Sequence, residues 1–204
     1  MKKLLLIAAM FAAAGSANAQ DGLRFGVKTG INFATLKMKS GEYSSSNSSV
    51  TSFHFGGFVD VPVSARLSIQ PGLTLSGKGM KMGKDDDDTK ANLMYLDVPV
   101  NAVTRINAGP GQVFLGAGPY LGYGLSGKIK GPDGKQDVKF GKDEELRRLD
   151  LGLGFIGGYQ LPSGLNFNLG YQLGIKDIEP EAGNDNSESS TKNRVFSISV
   201  GYLF

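Results

Sequence analysis

His54 is the one histidine of the chain, and Ser52 stands two residues before it. A serine and an imidazole on one face are two parts of a hydrolase site, which also needs a group to orient the imidazole. No acid near them in the sequence fills that place, and a strand sets any i, i+2 pair on one face. His54 is therefore expected to be a hydrogen-bonded interior or rim residue, and no catalytic residue is assigned. Four consecutive carboxylates, Asp85 to Asp88, offer oxygen ligands to calcium, or to divalent bridges with anionic lipid headgroups. They lack the alternating oxygens and central glycine of a calcium loop, and Lys81, Lys84 and Lys90 offset their charge. The run reads as a solvated loop, so no metal site is expected. Gly116, Gly118 and Gly122, like the pairs Gly56-Gly57 and Gly157-Gly158, do not make a dinucleotide fingerprint leading into a helix. With no cysteine in the chain, disulfides, thiolate zinc sites and cysteine nucleophiles are excluded. No cofactor is expected, and the chain reads as non-enzymatic.

The elements that position these side chains follow an export signal. Lys2 and Lys3, the apolar run Leu4 to Ala14 and the small-x-small site Ala17-Asn18-Ala19 make residues 1–19 a secretory signal peptide, with residues 20–204 as one mature domain. The run is shorter than the about 20 residues that a helix needs to cross hydrocarbon. Without Lys2 and Lys3 the 204-residue chain keeps 20 basic against 19 acidic side chains. That balance gives no concentrated basic face for nucleic acid.

The mature chain alternates with period two, the mark of strands. Leu23, Phe25, Val27, Thr29, Ile31 and Phe33 share one face, with Arg24, Gly26, Lys28, Gly30 and Asn32 on the other. Phe196, Ile198, Val200, Tyr202 and Phe204 repeat the scheme at the end of the chain. Six further runs lie at about 51–63, 66–79, 92–106, 112–126, 148–161 and 165–177. Short connections near 63–65, 107–111 and 162–164 alternate with long polar ones at about 37–50, 80–91, 127–147 and 178–192. Within the third of these, Lys142 to Arg148 is a candidate short helix. Tight turns on one rim and long loops on the other predict an all-β, eight-stranded antiparallel up-and-down transmembrane β-barrel, turns to the periplasm and loops to the outside. The polar face is mostly Gly, Ser, Asn and Gln, which suits the crowded interior of a narrow barrel. A soluble barrel would carry dense charge there instead.

Charges within the strands fall almost entirely on the polar face, as Arg24, Lys28, Asp60, Arg66, Asp97, Arg105, Asp150 and Lys176 do. An unpaired carboxylate in mid-strand is costly to bury, so Asp97 is expected to pair across the lumen with Lys28, Arg66 or Arg105. Pro99 cannot donate to the ladder and predicts a bulge or kink beside it. Five cations against three anions suggest a lumen that retains some water.

Met94-Tyr95-Leu96-Asp97-Val98-Pro99-Val100 resembles the YLEIP strand of the outer-membrane β-barrel domain family, with Asp97 in place of the commoner glutamate. Arg148 to Gly154 resembles that family's R-F-D-x-G-x-x-x-G strand, and Asn193 to Phe204 resembles its closing strand. The resemblance covers essentially the whole mature chain. It implies an outer-membrane location in a family abundant in gliding and gut-dwelling Gram-negative bacteria, one member of which serves a protein secretion system. It also implies that the closing aromatics, Tyr202 and Phe204, belong to the signal read by the barrel-insertion machinery. The expected function is a structural scaffold that presents extracellular loops, with outer-membrane lipid and the insertion machinery as partners. A narrow porin-like channel for small solutes and an accessory factor in secretion are the alternatives.

Overall fold

Residues of one parity are leucine, β-branched or aromatic, and those of the other are small or polar, which is the composition of a two-sided pleated sheet. The computed structural model describes residues 22–40, 43–46, 48–82, 89–131, 134–138, 140–141, 146–178 and 189–204. These contain β1 (Arg24–Ser40), β2 (Tyr43–Ser46), β3 (Val50–Pro62), β4 (Leu67–Met82) and β5 (Thr89–Ala108). The chain continues with β6 (Gly111–Gly131), β7 (Gly134–Val138), β8 (Leu149–Gln160), β9 (Leu165–Gly174) and β10 (Ser189–Leu203).

Eight of the strands close a ring in the order β1-β3-β4-β5-β6-β8-β9-β10, with antiparallel neighbours. The last returns to the first, in register from Gly26↔Leu203 to Ser40↔Ser189. This is the expected eight-stranded up-and-down barrel. Closure matters because hydrocarbon offers no partner for an open sheet edge. The faces follow the alternation: Phe25, Phe53, Phe55, Leu115 and Leu169 are more than half exposed on the outside, whereas Asp60, Asp97 and Asp150 have no exposure at all.

The short turns at 63–66, 109–110 and 161–164 gather on one rim with the two ends of the ring. There the Phe204 N–H donates to Phe25 O at 2.8 Å. At the middle turn Gly109 adopts φ +60°, a region open to glycine at no steric cost. The Tyr159 hydroxyl ties that turn down, donating to Ala108 O at 2.8 Å and accepting from the Gly111 N–H at 3.0 Å.

Three local expectations are corrected. Two strands run further than the alternation alone indicates, β4 reaching Met82 and β6 reaching Gly131, where loops were expected from 80 and 127, whereas β9 stops at Gly174, short of the expected 177. The barrel wall continues past its apolar belt because the ladder still satisfies the backbone where the side chains are polar. Two short strands extend it, β2 against β1 and β7 against β6. The described part of the candidate helix is not helical: Leu146 bridges Phe140, and the Arg147 N–H donates to Ile178 O at 2.9 Å. Residues 142–145 lie outside the described residues. At Pro99 the ladder to β6 is interrupted without changing register, and the register shift falls earlier, between Met94 and Tyr95.

Candidate functional site

The polar face of the ring fills the lumen in layers. Nearest the short-turn rim, the Asp60 carboxylate of β3 accepts from three strands. Arg24 of β1 reaches Oδ2 at 2.6 Å, while Arg105 of β5 and Gln70 of β4 reach Oδ1 at 2.8 and 2.9 Å. Arg105 also donates to the Ser68 hydroxyl at 2.6 Å. Each of these residues is inward by parity, so one carboxylate ties three strands across the barrel mouth.

The next layer holds His54. Asn32 donates through Nδ2 to Gly77 O at 2.9 Å and to Ser76 Oγ at 3.1 Å, which turns its Oδ1 towards the imidazole. His54 Nδ1 meets that oxygen at 2.8 Å and must therefore carry the proton. Nε2 is left as an acceptor for the Ser199 hydroxyl at 2.9 Å. Ser52, the neighbour considered from sequence, donates to Gly77 O at 2.7 Å instead.

The Ser199–His54–Asn32 chain has the polarity of a nucleophilic serine and its base. Ser199, however, sits in a closed ladder, paired with Gly30 of β1 and Asn168 of β9. That pairing consumes the backbone amides an oxyanion hole would use. The chain acts as a tie joining β10, β3, β1 and β4. Gly30 makes it possible, since a Cβ there would lie 2.8 Å from His54 Cε1 and would collide with the Ile198 carbonyl oxygen.

Above it lies the most buried charge cluster. Lys78 Nζ of β4 stands 3.0 Å from Asp97 Oδ1 of β5 and 2.9 Å from Asp150 Oδ2 of β8. It also lies over the rings of Tyr95 and Tyr120, 4.8 and 4.6 Å from their centroids. Asn193 donates to Asp150 Oδ2 at 2.9 Å, and Gln172 to Asp97 Oδ2 at 3.1 Å. A Cβ on Gly122 would come within 2.7 Å of Asp97 Oδ1 and 3.4 Å of Lys78 Nζ. The glycine face read from sequence as crowding relief thus has a specific task at this point.

On the loop side of the cluster the lumen turns apolar. Leu93, Tyr95, Val138 and Phe140 form one group, and Leu36, Met80, Ala91 and Ile178 another. Phe140 stands edge-on to Tyr95, ring centroids 5.8 Å apart. Val138 and Phe140 come from the segment after β6 and Ile178 from the segment after β9, so loop residues fold back over the barrel end.

The expected lumen charges are therefore redistributed. Arg24, Asp60, Arg105, Asp97 and Asp150 form ion pairs, but the partner of Asp97 is Lys78, not Lys28, Arg66 or Arg105. Lys78 shares its parity with Ser68, Gln70, Thr74 and Ser76, so its inward direction was legible at the end of that run. Arg66 is exposed in the turn before β4, where Val63 and Ser64 N–H donate to Leu67 O. A guanidinium stays hydrated there, which costs less than entering the wall. Lys176 follows the end of β9, where the N–H groups of Ile175 and Lys176 both donate to Leu151 O and lead the chain off the ladder. Lys28 faces the lumen as expected, and among the described residues no carboxylate lies within ion-pair distance of it. Tyr202 and Phe204 point outward and stack edge-on, ring centroids 5.0 Å apart. Asp85 to Asp88 and residues 1–19 lie outside the described residues.

A family described as "Outer membrane protein beta-barrel domain" matches residues 18–179. No curated protein matches the chain. Among solved structures, Neisserial surface protein A is 16% identical with a TM-score of 0.49, covering 90% of this chain and 100% of its own. Ail, the attachment invasion locus protein of Yersinia pestis, is 13% identical with a TM-score of 0.47 over the same shares. The translocator domain of the autotransporter NalP from Neisseria meningitidis is 12% identical with a TM-score of 0.34, covering 98% of this chain and 97% of its own.

Proposed function

Because the chain belongs to the outer membrane protein β-barrel domain family, we propose that it is a non-enzymatic barrel whose rigid wall holds extracellular loops at the cell surface, for adhesion, envelope integrity or contact with a partner. Residues 1–19 direct its export, outer-membrane lipid covers its apolar belt, and Tyr202 and Phe204 engage the insertion machinery during assembly. One observation supports the scaffold over the pore: the lumen is packed through its loop-side half. Lys78, Tyr95, Asp97, Tyr120 and Asp150 are each at most 2% exposed; on the loop side Phe140 packs against Tyr95 and Ile178 packs with Leu36, Met80 and Ala91. Conduction needs a continuous wet path, and this layer interrupts it.

Two measurements on the full chain test the reading. Folded protein in planar bilayers is expected to give no large, stable single-channel currents, and such currents would overturn the filled lumen. The chain has no cysteine, so single cysteines report sidedness cleanly. A membrane-impermeant maleimide on intact cells is expected to label Lys135→Cys in β7 and to leave Ser163→Cys unlabelled in the turn after β8. The reverse pattern would invert the orientation.

A further inference from the structure

We infer that the short-turn half of the lumen is a binding site for a small oxyanion, a carboxylate or phosphate group, held by Lys28 and Asn101 and reached from the periplasm. Two adjoining cavities of about 40 and 50 Å³ of space for water centres lie between the Asp60 layer and the Lys78 cluster. About 10–15 Å³ of such space houses one water, so each admits a group of a few heavy atoms. Lys28, Asn101 and Asn168 line both cavities.

The donors are unused. Among the described residues Lys28 forms no ion pair, although the Asp97 carboxylate acts on it through space, and no hydrogen bond is formed by its ammonium or by the Asn101 amide. An ammonium and a primary amide facing one small polar space are the complement of an oxyanion. Asp97 also lines the inner cavity, but Lys78 already holds it at 3.0 Å.

The access route carries the same sign. A mouth cavity of about 660 Å³ on the short-turn rim is lined by Arg24, Arg66 and Arg105. Arg105 also lines the next cavity inward, which Lys28 joins to the innermost one. Arg24 and Arg105 share the Asp60 carboxylate, so this mouth keeps a net positive charge, and such a cleft concentrates counter-ions. The route ends at the packed Lys78 cluster, so it serves binding and not passage. Access from the periplasm rests on the orientation proposed above. Binding itself does not, so the test below can fail while that orientation stands.

The experiment titrates the isotope-labelled, folded full chain in micelles with inorganic phosphate and, separately, with acetate, each exchanged against chloride at constant ionic strength. Saturable amide shifts are expected at Lys28, Asn101 and Asn168 with at least one probe, and the responding probe identifies the favoured oxyanion. Lys28→Gln is expected to weaken the midpoint by about tenfold to a hundredfold, the worth of a charged hydrogen bond. Asn101→Ala keeps every charge and is expected to weaken it by about threefold to tenfold, which serves if Lys28→Gln does not fold. Shifts confined to the amides of Arg24, Arg66 and Arg105, saturation unchanged in both variants, or no saturation with either probe would overturn the site.

Discussion

Lys78→Met removes the ammonium that two buried carboxylates share. Nζ lies 2.9 and 3.0 Å from Asp150 and Asp97, and none of the three groups has more than 1% side-chain exposure. At an effective dielectric of about 20, unit charges about 3 Å apart attract by about 5–6 kcal/mol. Most of that attraction replaces hydration lost on burial. Deleting the lysine forfeits it without restoring hydration, and breaking such a pair costs about 3–5 kcal/mol. The variant is expected to lose that much in equilibrium urea unfolding from lipid vesicles, followed by the gel shift between folded and unfolded forms. Adding Asp97→Asn and Asp150→Asn removes the stranded charges and is expected to return stability to within about 1–2 kcal/mol of the parent. Lys28→Met, which deletes the same chemical group where no ion pair is made, strands no carboxylate and is expected to cause no comparable loss. A loss below about 1 kcal/mol for Lys78→Met, or a triple variant as unstable as the single one, would refute the reasoning.

The face assignment predicts that Leu169→Arg, 53% exposed on the belt, costs about 2–4 kcal/mol at mid-membrane in the same unfolding assay; a neutral result would place that face away from lipid. Alternation alone makes Ser199 a tolerant inward position, but its hydrogen bond to His54 now predicts a loss of about 1 kcal/mol for Ser199→Ala. Gly122→Ala is expected to cost about 1–3 kcal/mol by crowding Asp97. Gly57→Ala, whose nearest contact would be 3.5 Å away, is expected to be near neutral, and equal losses at the two glycines would show that wall flexibility, not lumen crowding, sets the requirement.

The barrel was legible in the sequence because one face of every strand must satisfy lipid and the other a narrow interior, and that pressure repeats at each second residue. Leu165, Phe167, Leu169 and Tyr171 announce their outward direction without reference to any partner. Pairing across the lumen is different in kind. Asp97 meets Lys78 because β4 and β5 align Thr74 with Asp97 while the side chain of Lys78 leans along the wall, and that lean is invisible to alternation. Asn32, His54 and Ser199 were each legible as inward, yet 145 residues separate the histidine from its serine. The plug had still less signal: Phe140 and Ile178 lie in segments whose composition reads as loop, and only the fold-back over Gly124 and Leu36 gives them a place to be buried.

The seam between β1 and β10 sets a timetable for assembly. Most ring pairings join strands adjacent in the chain, so their loop-closure cost is small, but Gly26 must find Leu203 across nearly the whole polypeptide. Until it does, one margin of β1 presents a row of unsatisfied amides that the bilayer core will not accept. The first strand of the ring is thus the one whose outer margin is satisfied last, and the bilayer core favours the closed cylinder over any partly assembled sheet with a bare edge.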